Sequence, residues 1–397
     1  MKFNRSQLLY SLMHMLFWCG YAIVWSYTAV YLEYYGYSSA VVGLVTGVGA
    51  VISVLMQPIL AWMVKKWKGL STAKNIVFLK LAAVILSFVM WTEPSGKWTV
   101  AILVMILAAI EAAIPSMLST IAMEYVNAGH KLNYGAARGE GSIAFALFSV
   151  LLGYLVKQMP MRWLAFLYAV LSLLVLGLCL LFQEPAGRRQ ENPLEDVEEM
   201  LQERAGLLEK YPFLLYFLLG TVLLFMGHNT INVFLVNIIE RAGGSSENLG
   251  LALAIAAAME LPIMAYFNRL AGRIDVRKLL VFSGVCFLLK SMLTWLSGNL
   301  AMIYLAQVIQ IGAFGLFTPA SVHFINVYMK REDSGIGQAL LGAFSLGLGG
   351  AVGNVIGGFV IESFGVTEML VVTVFLSAIG LFFIAVSAKK CREEVTG

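Results

Sequence analysis

Charged side chains are scarce in this chain. Only 13% of its 397 residues are Asp, Glu, Lys or Arg, whereas 60% are hydrophobic. Soluble domains carry about 25% charged residues, so this composition excludes an ordinary soluble domain and indicates an integral membrane protein. The net charge of +4 does not suggest a nucleic-acid partner.

Paired cysteines and nucleotide-binding motifs are missing as well. The four cysteines are scattered along the chain, which gives neither a disulfide framework nor a zinc site. The sequence contains no Walker loop, no GxSxG and no HExxH pattern. We therefore expect no enzymatic activity, no metal and no cofactor, and nothing in the sequence supports ATP as an energy source.

Long apolar runs make up most of the chain. Crossing about 30 Å of hydrocarbon takes about 20 apolar residues, and twelve runs reach that length. The first run follows the N-terminus without a small-residue cleavage site, so it is expected to remain as a membrane span. We place the spans at residues 9–33, 39–64, 74–93, 98–125, 135–157, 162–183, 211–239, 246–270, 277–297, 300–329, 335–362 and 366–388.

Basic residues collect on one side of these spans. With the N-terminus inside the cell, twenty of the 27 Lys and Arg residues fall on the inner side and four on the outer side. Cytoplasmic loops of membrane proteins carry such an excess of Lys and Arg. We therefore predict a multi-pass protein of the cell (inner) membrane with both termini in the cytoplasm.

One polar segment divides the chain into two similar halves. Residues 184–210 contain two prolines and a run of acidic side chains, which is typical of a solvated linker. The pattern Gly36-Tyr-Ser-Ser39 of the first half returns as Gly243-Gly-Ser-Ser246 in the second. We predict an N-terminal six-helix bundle at 1–183, a cytoplasmic linker at 184–210 and a C-terminal six-helix bundle at 211–397.

Ionisable side chains inside the apolar runs are candidates for function. A charge at membrane depth costs roughly 2.5 to 3.5 kcal/mol on insertion scales, so it persists where it is paired, lines water or meets a ligand. Besides Arg138, these positions are His14, Lys80, Glu111, Glu140, His228, Glu260, Lys290 and His323.

Glu260 and Lys290 are the first candidates for handling protons. Both lie midway along their spans, near the bilayer midplane, and should be able to meet. A carboxylate that faces a fixed cation can exchange a proton, although a permanent structural ion pair is the alternative. Glu111 and Glu140 are further candidates for proton coupling, and packing against Lys80 is the alternative role of Glu111.

Arg138 and Phe145 are the first candidates for binding a solute. Arg138 cannot lose its charge, and the alternative to a buried site is that it snorkels to lipid headgroups. Phe145 follows seven residues later on the same helix face. Gln307 and Gln310, spaced three apart, offer amides either to a hydroxyl-rich ligand or to neighbouring helices.

Three further patterns stand out within the spans. His228 heads a polar cluster in span 7, where a hydrogen bond between helices is favoured and solute binding is the alternative. Trp18, Tyr21 and Trp25 form one aromatic stripe in span 1, which either stacks on a ligand or packs in the core. The spacing Gly349-x-x-x-Gly353-x-x-x-Gly357 in span 11 indicates close helix packing.

One stretch resembles a known family. The pattern Asn133-Tyr134-Gly135-x-x-Arg138-x-x-Gly141-Ser142-x-x-Phe145 is similar to the fifth helix of the oligosaccharide:proton symporters (lactose permease-like) and the related phenylpropionate permease-like transporters of the major facilitator superfamily. The resemblance implies that Arg138 binds a sugar and that Phe145 stacks against it. The family's essential glutamate of span 4 falls on Thr120 and its histidine of span 10 on Gln310, so its proton route does not transfer.

These observations together predict an all-α membrane protein with twelve transmembrane helices in two six-helix bundles, the major facilitator fold. We expect a secondary active transporter that works by alternating access and carries out proton-coupled symport of a sugar or oligosaccharide. The proton gradient supplies the energy. The expected partners are a small-molecule solute, protons and membrane lipids, and a monomer is expected to suffice.

Other functions remain open at this point. Uptake of an aromatic acid or a nucleoside is the nearest alternative, with Arg138 or Lys290 as the anchor for a carboxylate. A drug exporter is a further alternative within transport. Outside transport, the alternative is a sensor protein that has kept the fold without moving a solute.

Overall fold

The computed structural model describes residues 5–67, 69–94, 96, 98–182 and 206–396. Within these ranges the chain is mainly helical and contains no strand. Residues 184–205 of the predicted linker lie outside the described residues.

A long helical segment lies at each predicted span. The segments within the described residues are α1 (Arg5–Ser26), α2 (Ser39–Lys66), α3 (Thr72–Trp91), α4 (Thr99–Asn127), α5 (Tyr134–Gln158), α6 (Arg162–Leu181), α7 (Pro212–Val233), α8 (Ser246–Ala271), α9 (Val276–Trp295), α10 (Leu300–Tyr328), α11 (Arg331–Phe364) and α12 (Val366–Thr396). Eleven helices of the described chain are long and apolar enough to cross a membrane, and α9 carries Arg277, Lys278 and Lys290 within its 20 residues.

Side-chain caps fix where several helices begin. Ser71, Asn133 and Asn299 each accept a hydrogen bond from the backbone N–H three residues further on, as N-cap residues do. At the start of α7, Pro212 occupies the first turn, where its missing N–H leaves no hydrogen bond unmade.

The two halves share a turn at the repeated glycine. The short helices Thr28–Tyr34 and Leu235–Arg241 continue α1 and α7. Each is followed by a glycine in the left-handed region, Gly36 with φ +79° and Gly243 with φ +78°. Glycine adopts this conformation without strain. Because both residues open the sequence pattern repeated between the halves, the internal repeat is structural as well.

In the described part of the chain, three segments depart from regular α-helix. Helix α1 ends in a π-helical turn at Ala22–Ser26, α10 contains a 3-10 turn at Ile309–Ile311, and α11 contains a π-helical segment at Ala343–Gly349. Such departures are frequent at functional sites. The first contains Trp25 and the second contains Gln310, both of which the sequence analysis singles out.

The glycines of α11 pack against α7. A Cβ on Gly349 would lie 2.9 Å from Phe225 Cβ, one on Gly353 would lie 2.6 Å from the Met226 carbonyl oxygen, and one on Gly357 would meet Thr230. Only a residue without a side chain fits at this separation of the two backbones. The close packing predicted from the glycine spacing is therefore confirmed.

The helices group into two compact units. The first unit comprises Met1–Asn192 together with Ser246–Ala254, and the second comprises Pro193–Ser245 together with Ile255–Gly397. The opening turns of α8 thus belong with the first unit. In the second unit, buried aromatic rings pack together in the core, where Phe217 stacks on Phe317 and lies at a tilt against Phe324.

Candidate functional site

Arg138 packs on an aromatic ring in the first unit. Its guanidinium carbon lies 3.9 Å from the centre of a Trp18 ring, and its Nη1 donates a hydrogen bond to Ser142 Oγ at 2.5 Å. Helix α5 approaches α1 this closely because residue 141 is glycine, and a Cβ there would lie 2.5 Å from Trp18 Cδ1. A cation held over an indole face is stabilised by the ring electrons.

The aromatic stripe of α1 extends from this contact. The ring centres of Trp18 and Tyr21 are 4.9 Å apart, and those of Tyr21 and Trp25 are 6.0 Å apart and stacked. The indole N–H groups of Trp18 and Trp25 are buried and have no hydrogen-bond partner among the described residues. Buried donors are normally paired, so both N–H groups are candidates for donating to a ligand or to water. We call Trp18, Tyr21, Trp25, Arg138 and Ser142 the arginine cluster.

His14 lies one turn before Trp18 on α1. Its buried ring packs edge-on against Tyr10 at 4.8 Å and against Tyr134 at 5.7 Å. Neither ring nitrogen has a hydrogen-bond partner within the described part of the chain. His14 therefore adds another unused polar group close to the arginine cluster.

Glu111 and Lys80 form a buried ion pair in the first unit. Lys80 Nζ of α3 lies 2.6 Å from Glu111 Oε1 of α4, and both side chains are shielded from solvent. The packing of Glu111 against Lys80, one of the two roles considered from the sequence, is confirmed as a contact. Its role in proton coupling stays a prediction.

In the second unit, an amide connects the two groups predicted to handle protons. Lys290 Nζ of α9 donates to Gln310 Oε1 at 2.6 Å, and Gln310 Nε2 donates to Glu260 Oε1 of α8 at 2.9 Å. The sequence analysis expects Glu260 and Lys290 to be able to meet, and in the structure Gln310 links the two side chains. The link is possible because residue 315 of α10 is a glycine, which lets α10 approach α8 closely. A Cβ added at Gly315 would lie 3.3 Å from Glu260 Cα.

His228 bonds within its own helix. Its Nε2 lies 2.9 Å from Asn232 Nδ2, one turn further along α7, so the predicted hydrogen bond between helices is not the one observed. Contact with other helices is made by ring packing instead. The imidazole stacks on Phe314 of α10 at 5.1 Å and packs edge-on against Phe287 of α9 at 5.5 Å.

The remaining four candidates from the sequence are Gln307, Phe145, Glu140 and His323. Gln307 is fully buried, and neither atom of its amide has a partner among the described residues. Phe145 is half-buried on α5, whereas Glu140 is exposed on the same helix. His323 packs edge-on against Phe267 at 5.9 Å. The predicted roles of these residues stay predictions.

Asn354 is a polar residue that sequence reasoning missed. It lies on α11 beside Gly353, is buried, and both polar atoms of its amide are without a partner in the described ranges. An asparagine within an apolar run was the available signal. The glycines around it favour an interpretation of this stretch as packing alone.

Among the described residues no group of three or more His, Cys, Asp or Glu side chains is placed to hold a metal ion. The described side chains of these sites offer hydrogen bonding, ion pairing and ring stacking.

Comparison with known proteins places this arrangement in a family. The model of the MFS_1 like family, a family of the major facilitator superfamily, matches residues 8–372. The chain belongs to this family. The family and the all-α fold predicted from the sequence are thereby confirmed.

Several relatives match this transporter over nearly its whole length. Maltose permease from Geobacillus stearothermophilus is 24% identical over 98% of this chain and 95% of its own. A probable 3-phenylpropionic acid transporter from Escherichia coli (strain K12) is 23% identical over 87% of this chain and 88% of its own.

Solved structures show the same fold. The nucleoside transporter NupG superposes with a TM-score of 0.79 at 16% identity, covering 97% of this chain and 98% of that one. A bacterial homolog of the lysosomal transporter Spinster superposes with a TM-score of 0.69 at 14% identity, covering 98% and 97% of the two chains. The protein is therefore a multi-pass membrane protein and a secondary transporter of the major facilitator superfamily.

Proposed function

We propose that this transporter takes up a sugar or an oligosaccharide together with protons. The arginine cluster carries the proposal, because it places ring faces beside a guanidinium and two buried indole N–H groups without partners among the described residues. Aromatic faces pack against the apolar faces of sugar rings, and N–H groups donate to hydroxyl oxygens. The likeness to a maltose permease over 98% of the chain supports the same class of solute.

The other predicted solute contacts complete this assignment. Phe145 would stack on the solute from α5. Gln307 and Gln310 would offer amide donors and acceptors to its hydroxyls, and the amide of Gln307, which has no partner in the described chain, suits that role. His228 would contribute its Nδ1, which is buried without a partner in the described ranges.

We assign proton exchange to the chain of contacts Lys290–Gln310–Glu260. Protonation of Glu260 removes the charge that accepts the Gln310 amide hydrogen. Members of a hydrogen-bonded network respond to one another, so the contact between Gln310 and Lys290, which is buried, would change as well. Since Gln310 is also a proposed solute contact, this one side chain would respond both to protonation of Glu260 and to binding of the solute.

We further propose the setting in which this cycle runs. The transporter would act as a monomer in the cell (inner) membrane, with both termini in the cytoplasm, as the distribution of basic residues suggests. The proton gradient would drive it without a cofactor.

Uptake of an aromatic acid is the second candidate. The guanidinium of Arg138, the indole N–H groups of Trp18 and Trp25 and the ring of His14 make this part of the first unit rich in donors. A carboxylate accepts several such hydrogen bonds and pairs with arginine. The 23% identity to a probable 3-phenylpropionic acid transporter is in line with this solute class.

Counterflow in proteoliposomes tests the solute class. The full-length transporter is reconstituted in liposomes loaded with unlabelled maltose, and uptake of labelled maltose is followed, with 3-phenylpropionate as a competitor. We expect exchange of maltose that 3-phenylpropionate does not inhibit. Exchange of labelled 3-phenylpropionate without exchange of maltose would replace the first candidate by the second, and exchange of neither would contradict both.

A further inference from the structure

Helices α1 and α5 of the first unit run in the same direction, because successive turns of one contact successive turns of the other. His14 packs on Tyr134 at the start of α5, and Trp18, one turn later, packs on Arg138. A Cβ on Gly141 would lie 3.3 Å from the His14 carbonyl oxygen and 3.2 Å from Trp18 Nε1. His14 therefore lies beside the turn of α5 that carries Arg138, and Arg138 acts on it electrostatically.

Aromatic rings hold the His14 side chain in place. The residue is 1% exposed, and Tyr10 and Tyr134 pack edge-on against its ring. Tyr10 is itself fixed, because its hydroxyl donates to the Leu118 carbonyl oxygen at 2.7 Å. Neither imidazole nitrogen has a partner among the described residues. Since buried polar groups are nearly always hydrogen-bonded, a fixed ring with two unused nitrogens is suited to a ligand that supplies the missing partner.

The arginine cluster itself consists mainly of hydrogen-bond donors. A guanidinium and an indole N–H donate and never accept, which accounts for Arg138, Trp18 and Trp25. The Ser142 hydroxyl is already engaged, since it accepts from Arg138 Nη1 at 2.5 Å and donates to the Arg138 carbonyl oxygen at 3.3 Å. The Tyr21 hydroxyl is the other group of the cluster that can accept, and its side chain is only half-buried.

A solute hydroxyl and a solute carboxylate need different partners in such a place. An ionised carboxylate only accepts hydrogen bonds, so donors alone satisfy it. A hydroxyl also carries a hydrogen, and burying that hydrogen without an acceptor costs free energy. A neutral imidazole has one donor nitrogen and one acceptor nitrogen. His14 therefore supplies, beside the arginine cluster, the acceptor that a hydroxyl needs and a carboxylate does not.

We propose that His14 is a specificity-determining residue of the solute site, and that one of its ring nitrogens accepts a hydrogen bond from a solute hydroxyl. The donors of the arginine cluster bind oxygen atoms of either solute class, whereas the His14 acceptor stabilises a hydroxyl-bearing solute alone. This role rests on the proposed uptake of a sugar. It identifies the side chain that distinguishes a sugar from an aromatic acid.

Two substitutions separate the acceptor of His14 from its shape. His14→Gln keeps an acceptor and a donor in its amide, whereas His14→Phe keeps a flat ring that has neither. Each full-length variant is reconstituted, and maltose counterflow is measured over a range of concentrations at about pH 8, where imidazole is neutral. We expect His14→Phe to raise the KM for maltose by about tenfold, the effect of one lost hydrogen bond. His14→Gln should stay close to wild type.

Deoxy analogues of maltose test the hydrogen bond itself. Each analogue lacks one hydroxyl and competes with labelled maltose in the counterflow assay. One analogue should bind wild type about tenfold more weakly than maltose and should bind His14→Phe no more weakly than wild type, because hydroxyl and acceptor act as a pair. The other analogues should lose affinity on His14→Phe as maltose does. A role of His14 in packing alone would weaken every analogue by the same factor.

A second histidine provides the matched control. His323→Phe makes the same substitution on α10, where the ring packs edge-on against Phe267 outside the proposed solute site. Its KM for maltose should equal that of wild type. His14→Leu, which is smaller and likewise lacks polar atoms, carries the same analogue series if His14→Phe does not reach the membrane.

Wild type and the variants answer separate questions. Maltose exchange by wild type decides the sugar assignment, and the variants decide the role of His14. If wild type exchanges maltose and His14→Phe has the same KM, or if every analogue loses affinity equally, His14 is not the acceptor and the sugar assignment stands. If wild type exchanges 3-phenylpropionate and not maltose, or exchanges neither, the sugar assignment and the selection by His14 both fail.

Discussion

Arg138 is the side chain on which the proposed solute site depends. Its flat guanidinium stacks on Trp18 and donates to Ser142 at the same time, which the compact ammonium of lysine cannot do. We expect Arg138→Lys to lose most maltose counterflow while reaching the membrane at normal levels. Arg162→Lys, which changes an exposed arginine, is the matched control and should transport normally. Full exchange by the Arg138 variant would remove this residue from the site.

Phe145 is the second test at the scale of single residues. If its ring stacks on the solute, Phe145→Tyr should keep the affinity and Phe145→Ala should weaken it by about 1 kcal/mol. Binding of maltose by the two purified variants, measured by calorimetry, distinguishes them. Equal affinity of the alanine variant and wild type would assign Phe145 to packing.

Among single residues, the sequence identified types of chemistry better than partners. The positions of Arg138, Glu111, Glu260 and Lys290 followed from the high free energy of a charge inside an apolar run. Their contacts depend on how helices rotate and approach, which periodicity does not define. Gln310 illustrates this, because its place between Glu260 and Lys290 depends on the 3-10 turn Ile309–Ile311 and on the close approach of α10 to α8 at Gly315.

At the scale of helices, α11 offers a matched pair of glycines. A Cβ at Gly353 would lie 2.6 Å from the carbonyl oxygen of Met226, whereas nothing lies within 4 Å of one at Gly342. Backbone cannot move aside easily, so Gly353→Ala should lower the midpoint of thermal unfolding in detergent. Gly342→Ala should leave the midpoint unchanged or raise it. Alanine favours a helix over glycine, by up to about 1 kcal/mol in the free energy of unfolding. Equal midpoints for the two variants would contradict the packing of α11 on α7.

The start of α9 carries a pH-dependent cap. Asp275 Oδ1 accepts the backbone N–H of Arg277 at 2.9 Å, and Oδ2 accepts the Arg277 Nη2 at 2.5 Å. The side-chain hydrogen bond from Arg277 lowers the pKa of Asp275 below its usual value, while partial burial opposes this shift. A lowered pKa in the folded state stabilises the fold at pH values above the unfolded pKa of about 3.9. That stabilisation is lost as the pH falls through the folded pKa.

We therefore expect Asp275→Ala to lower the stability of the purified transporter by about 1 kcal/mol at neutral pH. The difference from wild type should shrink as the pH falls below about 4, because protonation removes the charge in wild type too. Asp275→Asn keeps a cap acceptor and should lose less. Thermal unfolding at several pH values measures this, and a difference that grows on acidification would contradict the assignment.

For the whole molecule, the sequence was sufficient to predict the all-α fold and the family. Each span requires about 20 apolar residues, so hydropathy alone locates the start of each helix from α1 to α12 to within four residues, although α12 extends to Thr396, past the predicted end at 388. The glycine turn at Gly36 and Gly243 recurs with nearly the same φ in both halves, which the repeated sequence pattern anticipated. The identity of the solute follows less directly from the sequence. Two relatives with similar identity to this chain are named as a maltose permease and as a probable 3-phenylpropionic acid transporter.

Proton coupling through Glu260 is the central claim for the molecule as a whole, and Glu260→Gln tests it most directly. Glutamine imitates the protonated carboxyl group permanently, so the variant should still bind and exchange solute but should be unable to complete a cycle driven by protons. The measurement compares maltose counterflow with maltose accumulation against its gradient, both in proteoliposomes carrying an imposed proton gradient. We predict that counterflow survives and accumulation disappears. Accumulation by Glu260→Gln that is still abolished by collapsing the proton gradient would contradict the claim.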